Sequence, residues 1–268
     1  MDEKMIAETI AKNRDFMKSN FGHVEYVSDQ QKLLPQPPLV KAARSEERIP
    51  LTMEFGEVVK EHDYVALLRD RVSNRFYAED PMTMDQLAFL LWSTQGVRAI
   101  RGKNYAALRP VPSAGARHVF ETYLLVSRVE GLKEGVYHYL PMEHALEPIS
   151  LEGDMAEKAI HCACDQKWAG KAAVTFVYTA VAYRGEWRYN INAHRVMLID
   201  AGHVVQNLYL SAQAIGCGTC AIAAFRQEDT DKLLQVDGKE EFAVYMAPVG
   251  VRDESKNEQN TKKLYANV

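Results

Sequence analysis

Apolar residues recur along this chain with two periods, and the switch between them marks its elements. Residues 1–20 put Ile6, Ile10, Phe16 and Met17 on one side of a helix. Residues 28–52 contain Leu34-Pro35-Gln36-Pro37-Pro38 and scattered charges. They predict an extended arm of the kind that lies over a partner or subunit surface. Between 57 and 70 the residues Val58, Val59, Tyr64, Val65, Leu67 and Leu68 return at helical spacing. Thr83, followed three residues later by Gln86, forms a capping-box pattern. It opens a helix over 84–96 that packs through Leu87, Leu90 and Leu91 and stops at Gly96. A loop rich in Arg, Gly and Pro then runs to Pro112.

The second half is richer in strands. Residues 120–129 alternate and are rich in β-branched and aromatic side chains. Residues 135–139 and 145–149 predict a hairpin around Pro141, and 152–166 a helix. Residues 172–183 form an apolar run that predicts a buried strand, and 193–215 predict a long helix. A buried strand at 221–225, a short helix at 229–235 and a strand at 242–250 follow. The last eighteen residues are polar and predicted extended. Helices and strands alternate irregularly and hairpins are present, which predicts an α+β fold over a regular βαβ array.

Composition narrows the function classes. The chain has 268 residues, 47% of them hydrophobic and 25% charged, as in ordinary soluble domains. Its formal charge, 32 minus 36, is −4 and gives no bias toward nucleic acid or an anionic membrane. The longest strongly apolar stretch, 172–183, falls short of the roughly 20 residues that span a bilayer. The start, Met1-Asp2-Glu3-Lys4, lacks the apolar core of a signal peptide, so a cytoplasmic location is expected.

The cysteines are Cys162, Cys164, Cys217 and Cys220. Cys217-Gly218-Thr219-Cys220 has the spacing of a redox pair or half a zinc site, and His161-Cys162-Ala163-Cys164 could supply the other half. A C-x-C pair on a helix-like segment chelates a tetrahedral metal poorly. Small buried thiols and no metal are the favoured expectation. Gly216 to Ala221 also matches G-x-G-x-x-A by letter. It closes a long helix and opens a strand, the reverse of a dinucleotide fingerprint.

Two stretches carry the chemistry. In Arg71-Val72-Ser73-Asn74-Arg75-Phe76-Tyr77, an extended backbone puts two guanidiniums and a hydroxyl on one face. Two Arg forks and a hydroxyl suit a phosphate and a polyol or carbonyl edge. The alternative is surface ion pairing with Asp70, Glu79 or Asp80. Pro112-Ser113-Ala114-Gly115-Ala116-Arg117 is a small-residue turn that lets backbone approach a flat ligand. Further blocks follow in order: Leu90 to Gly96, Phe120-Glu121-Thr122-Tyr123, Gly135-Val136-Tyr137-His138-Tyr139, Gly202-His203 with Gln206-Asn207, Ile215 to Gly218, and Ala223-Ala224-Phe225.

The ordered set, over about residues 57–250, resembles the nitroreductase superfamily and its SagB-type dehydrogenase branch, which includes azoline oxidases of peptide-modification pathways. The resemblance implies a mixed central sheet flanked by helices in an obligate homodimer. It divides the chain into an N-terminal helix and arm (1–52) and a domain binding flavin mononucleotide, FMN (53–268). It implies that Arg71, Ser73 and Arg75 hold the FMN phosphate, ribityl chain and pyrimidine edge. Gln95 would bond the flavin's carbonyl edge, and Arg252 would reach the phosphate. Pro112, Ser113, Ala114 and Gly115 would face the isoalloxazine from the neighbouring subunit. The Ala223 and Ala224 amides would point at N5 and O4, although many relatives carry a glycine there. His203, Gln206 and Asn207 share one helix face, and a satisfied core network is the favoured reading.

One departure concerns the chemistry. Azoline-oxidising relatives carry a Lys-Tyr pair ahead of the long helix, and here Trp187-Arg188-Tyr189 stands in that place. A guanidinium stays protonated and is a poor general base. Tyr189 is the candidate proton donor or acceptor, with a packing tyrosine as the alternative. The reading is an FMN oxidoreductase acting on a small molecule or peptide ring, with NADH or NADPH as a candidate reductant. An azoline dehydrogenase working with a cyclodehydratase and a non-catalytic flavin-binding scaffold are the rivals.

Overall fold

The computed structural model describes residues 2–22 and 25–264, and its frame is a sheet of seven strands numbered in chain order. In space they run β1 (Ile49–Pro50), β6 (Ala145–Ser150), β5 (Gly135–Leu140), β4 (Phe120–Val126), β7 (Val174–Val181), β9 (Glu241–Val251) and β8 (Cys217–Thr219). Alternation along β4 and β7 splits their side chains between two faces. Leu124, Phe176 and Tyr178 join the core under two helices, α3 (Met84–Gln95) and α6 (Ala193–Ala214). Leu87, Leu90, Leu91, Val204, Val205 and Leu208 fill that layer. Tyr123, Leu125 and Val177 face the other way, against Met155, Ala159 and Cys162 of α4 (Met155–Cys162). Each buried side chain of this size contributes about 1.5–3 kcal/mol.

The capping box at Thr83 and Gln86 forms as predicted, with both reciprocal hydrogen bonds in place. Other expectations are corrected. The sheet is not mixed: every pairing between strands is antiparallel, and the parallel contact is an isolated bridge between Met82 and Val129. Strands β4, β5 and β6 form a meander, and the helical connections return β7 and β9 antiparallel to their neighbours. The helix predicted over 57–70 is confined to α2 (Tyr64–Asp70), capped by Asp63. The stretch before it donates the Lys60 and Glu61 amides to the Ala214 carbonyl at the end of α6, which holds it out of helix. The apolar run at 172–183 ends as strand at Val181 and turns directly into α5 (Ala182–Tyr189). The loop before Pro112 contains a hairpin, β2 (Ala99–Arg101) and β3 (Ala106–Leu108).

Residues 221–225 are not a strand. β8 pairs with β9 for three residues only, after which the chain lifts away and touches β9 again through Ile222 and Met246. The helix expected at 229–235 is α7 (Gln227–Leu233). Most of the predicted extended tail is helical, as α8 (Glu254–Leu264), and residues 265–268 lie outside the described residues. The N-terminal helix, α1 (Glu3–Phe16), forms but buries none of its residues.

The arm packs on its own chain. Across the sheet face beneath it runs a row of polar residues: Glu147, His138, Glu121, Thr179 and Glu241. Glu121 accepts the Lys41 amide at 2.9 Å, and Glu147 accepts the Arg44 and Ser45 amides at 2.6 and 3.0 Å. Lys41 pairs with Glu241, and Arg184 on α5 pairs with Glu121 at 2.5 Å. His138 lies between Glu121 and Glu147 at 3.1 and 2.8 Å. Burial opposes its imidazolium, but the two carboxylates outweigh it and raise its pKa. Burial also works against the Glu121 carboxylate, yet Arg184 and His138 hold it well below the usual range.

Candidate functional site

Residues 71–77 leave α2 in extended form, so the alternation read from sequence is realised. Asn74 and Tyr77 are buried, while Ser73 and Arg75 are exposed and Arg71 is half-buried. The Asn74 amide donates to the Thr219 carbonyl at 2.9 Å, which fastens the stretch beside β8. Gly218 is required for this approach: a methyl group there would come within 2.1 Å of the Asn74 side chain.

The outward face is where the chemistry gathers. The Arg71 guanidinium lies over the Tyr209 ring at 5.5 Å, and that of Arg75 over the Trp168 ring at 5.5 Å. Ser73 Oγ is 3.3 Å from Tyr209 Oη. Among the described residues neither Arg71 nor Arg75 has a carboxylate partner, and Asp70 is taken by Arg69 at 2.7 Å. Tyr209 Oη also accepts the Ala221 amide at 2.9 Å, which ties the segment after β8 to the same cluster. Beyond it Ala223 and Ala224 are exposed residues, and their amides have no acceptor among the described residues. Arg252 reaches this side through a bridge to Tyr77 and pairs with Glu254 at 2.7 Å, while its buried Nε has no partner.

The turn at 112–115 sits elsewhere on α6. Its Ala114 amide donates to both Asp200 carboxylate oxygens, at 3.2 and 3.0 Å, and Ser113 Oγ accepts the His118 amide at 2.9 Å. Burial lifts the Asp200 pKa, opposed by its bonds to Ser113 and Ala114. Pro112 is exposed, and Gly115 has φ +57°. A methyl group at Gly115 would fall 2.6 Å from Tyr189 Oη and 2.7 Å from Arg188 Nε, so only glycine lets that pair close on the turn. The Tyr189 hydroxyl and the Arg188 side chain thus both lie against the turn.

Gln95 is buried, and its Oε1 accepts from the buried Arg109, which commits it to the interior. The core network expected of His203, Gln206 and Asn207 is corrected. Asn207 donates to the Ser93 carbonyl at 2.9 Å, but His203 and Gln206 are exposed, with His203 3.9 Å from Asp200. Cys217 and Cys220 are buried free thiols, and burial pushes Cys217 up to about 12. Among the described residues no three His, Cys, Asp or Glu side chains converge to hold a metal ion. Nor is any helix long and apolar enough to cross a membrane.

Sequence reasoning missed Tyr209, Trp168 and Asp200. Asp200 had a signal, because it falls between Met197 and Ala201 on the core-facing side of an apolar helix. Tyr209 and Trp168 had none, since only the fold brings them to the arginines.

Comparison with known proteins bears on this arrangement. Residues 68–251 match the nitroreductase family model. A nitroreductase-family protein of Methanocaldococcus jannaschii, MJ1384, is 32% identical over 184 residues, 69% of this chain and 88% of that protein. The microcin B17-processing protein McbC of Escherichia coli is 29% identical over 133 residues, 48% of this chain and 49% of McbC. The trifolitoxin-processing protein TfxB of Rhizobium leguminosarum is 29% identical over 134 residues, covering 36% of that protein. Thus the chain spans about half or less of these two peptide-processing relatives.

Among solved structures, a Ralstonia eutropha nitroreductase-like protein superposes with a TM-score of 0.58 at 21% identity, over 82% of this chain and 99% of that one. The E. coli microcin synthetase McbBCD complex with truncated pro-MccB17 gives 0.57 at 19% identity, over 93% and 94%. An Anabaena variabilis chain gives 0.58 at 25% identity, over 69% of this chain and 37% of that one. With its sheet, its ordered blocks and the match over 68–251 in agreement, the chain belongs to the nitroreductase family of oxidoreductases.

Proposed function

We propose that the protein is an FMN-dependent oxidoreductase that acts as a homodimer on a small-molecule or peptide-ring substrate. The observation that carries this reading is a set of spare donors on one surface. Arg71 and Arg75 lack carboxylate partners and the Ala223 and Ala224 amides lack acceptors, among the described residues. An anionic phosphate with a polar ring edge satisfies such a set, and guanidinium forks match it in geometry. Arg71, Ser73 and Arg75 hold the phosphate, ribityl chain and pyrimidine edge in this reading. The orphaned Nε of Arg252 serves the phosphate. The Ala223 and Ala224 amides serve the N5 and O4 edge, and their small side chains leave it uncovered. Gln95 is left to the core. When bound, FMN supplies reversible hydride uptake at N5. A guanidinium at the pyrimidine edge favours the negative charge that uptake creates there. Asp200 orients the Ser113–Gly115 turn, and Tyr189 beside it gives or takes a proton.

The dimer rests on exposed apolar surface. Tyr64, Val65 and Leu68 on α2 and Leu198 and Ile199 on α6 are 45–67% exposed. Gly202 adds open space on α6, with no atom within 4 Å of an added methyl group. Asp200 and Tyr209 are nine residues apart, about 13 Å of helix. In this reading the turn of one protomer completes the arginine cluster of the other.

NADH or NADPH is the proposed reductant. The family relation to McbC favours a second reading, an azoline dehydrogenase acting with a cyclodehydratase, but Arg188 in place of lysine weakens it. A third is a scaffold that binds flavin without turnover. An absorbance spectrum of purified protein decides among them. Bound flavin that NADH or NADPH bleaches is the expected result. Flavin that pyridine nucleotides leave oxidised moves the assignment to the azoline or scaffold readings. Protein that neither carries nor takes up FMN overturns the proposal.

A further inference from the structure

A second group of arginines gathers against the Ser113–Gly115 turn, around Tyr105 at the tip of the β2–β3 hairpin. Arg188 Nη1 donates to Tyr105 Oη at 2.6 Å, and Gln30 Nε2 donates to the same oxygen at 3.1 Å. The Arg117 guanidinium lies 4.9 Å from the centre of the Tyr105 ring, and its Nη2 donates to the Tyr105 carbonyl at 2.7 Å. Arg117 is buried and, like Arg101 and Arg188, has no carboxylate partner among the described residues.

The phenol is therefore used in one sense only. An oxygen of this kind has two acceptor sites and one O–H. Gln30 and Arg188 fill both acceptor sites, and the O–H finds no acceptor among the described residues. Its remaining capacity is to donate outward. The hydrogen bond from Gln30, followed by the charges of Arg188 and Arg117, also lowers the Tyr105 pKa against the effect of burial.

The space it faces is a cleft of about 530 Å³. Arg101, Tyr105, Leu108, Ser113, Gly115 and Arg188 line it, and no carboxylate does. Two guanidiniums, Arg101 and Arg188, line the cleft with the Tyr105 hydroxyl, and a third, Arg117, is buried behind the Tyr105 ring; in a chain of net charge −4 this is a local positive site that bulk composition does not explain. A neutral ligand would leave those charges uncompensated. A carboxylate would accept from Tyr105 Oη and from the Arg188 guanidinium, with Arg101 lining the same cleft.

We propose that this cleft is an anion subsite that takes the carboxylate of a planar substrate, with Tyr105 and Arg188 as its specificity-determining residues. This deepens the function proposed above, and it rests on that reading only in taking the Ser113–Gly115 turn to face a flavin.

The test is calorimetric titration of the purified protein with benzoate and with benzamide, a neutral molecule of the same shape. Benzoate is expected to bind about tenfold more tightly, since hydrogen bonds to a charged group exceed those to a neutral one. The preference is expected to fall toward unity in Arg188→Gln and by several-fold in Tyr105→Phe, with unchanged thermal melting as the check on folding. It is also expected to shrink with added KCl. Equal binding of the two probes, or a preference that survives Arg188→Gln, overturns the proposal. The cofactor reading is scored separately on the same preparation by its flavin absorbance. Flavin without a benzoate preference sinks the subsite alone, and a benzoate preference without flavin sinks the cofactor reading alone.

Discussion

Two polar regions of this protein differ in how their charges are spent. Under the arm, Glu121 accepts from Lys41, Arg184 and His138, and Glu147 accepts from His138, Arg44 and Ser45. On the outward face of 71–75, Arg71 and Arg75 rest on aromatic rings with their forks uncommitted. The first region is buried, where an unpaired charge costs several kcal/mol, so every carboxylate there has partners. The second is open, where a spare guanidinium costs little in water and is available to an anion. Paired charges in the interior mark structure, and unpaired charges gathered on one face mark a binding surface.

The comparison breaks if the two regions respond alike to mutation. Glu121→Gln leaves Arg184 and His138 with a weakened partner in a dry site, and it is expected to cost about 3–5 kcal/mol of folding stability by urea unfolding. Replacing Arg71 or Arg75 by alanine is expected to leave stability within about 1 kcal/mol, because only a cation–π contact is lost. The same change is expected to raise the dissociation constant for FMN about 10–100-fold, from loss of a charge-assisted hydrogen bond. Flavin fluorescence titration checks it. Unaltered FMN affinity in both arginine variants would remove the phosphate role assigned to this face.

The smallest effect sharpens the comparison through pH. The folded pKa of His138 is raised above its ordinary value of 6.5. Its contribution is therefore complete below about pH 6.5 and lost as pH rises through the folded value. The stability difference between wild type and His138→Gln is expected to be about 1 kcal/mol at pH 6 and to shrink at higher pH. A difference that grows with pH would mean that the ring is neutral between its carboxylates.

Much of the frame was legible because it is local. Thr83 and Gln86 announce their helix, Leu87, Leu90 and Leu91 its buried side, and the alternation from Phe120 its strand. What misled is equally local. Val58 and Val59 continue the helical period of Tyr64 to Leu68, yet the Lys60 and Glu61 amides are drawn to Ala214, far along the chain. The run through Tyr183 is apolar to its end, but Arg184 turns back to Glu121 and the backbone coils with it. In the candidate site, the spacing of Arg71, Ser73 and Arg75 and the small residues at 113–115 and 223–224 were readable. Gln95 was readable only as a polar helix end, and its engagement with Arg109 depends on a residue fourteen positions away.

By itself the sequence determined which side chains can share a strand face or a helix stripe, since the periods of 2 and 3.6 are properties of the backbone. It thereby determined the α+β class and the outward set at 71–75. Which distant groups meet that set was decided only by tertiary packing. Tyr209 and Trp168 beneath the arginines, Asp200 under the turn, the glutamates under the arm and Tyr105 against Arg188 are contacts between segments tens to more than a hundred residues apart. No local period encodes them, because their energy exists only once the sheet and α6 have brought the segments together.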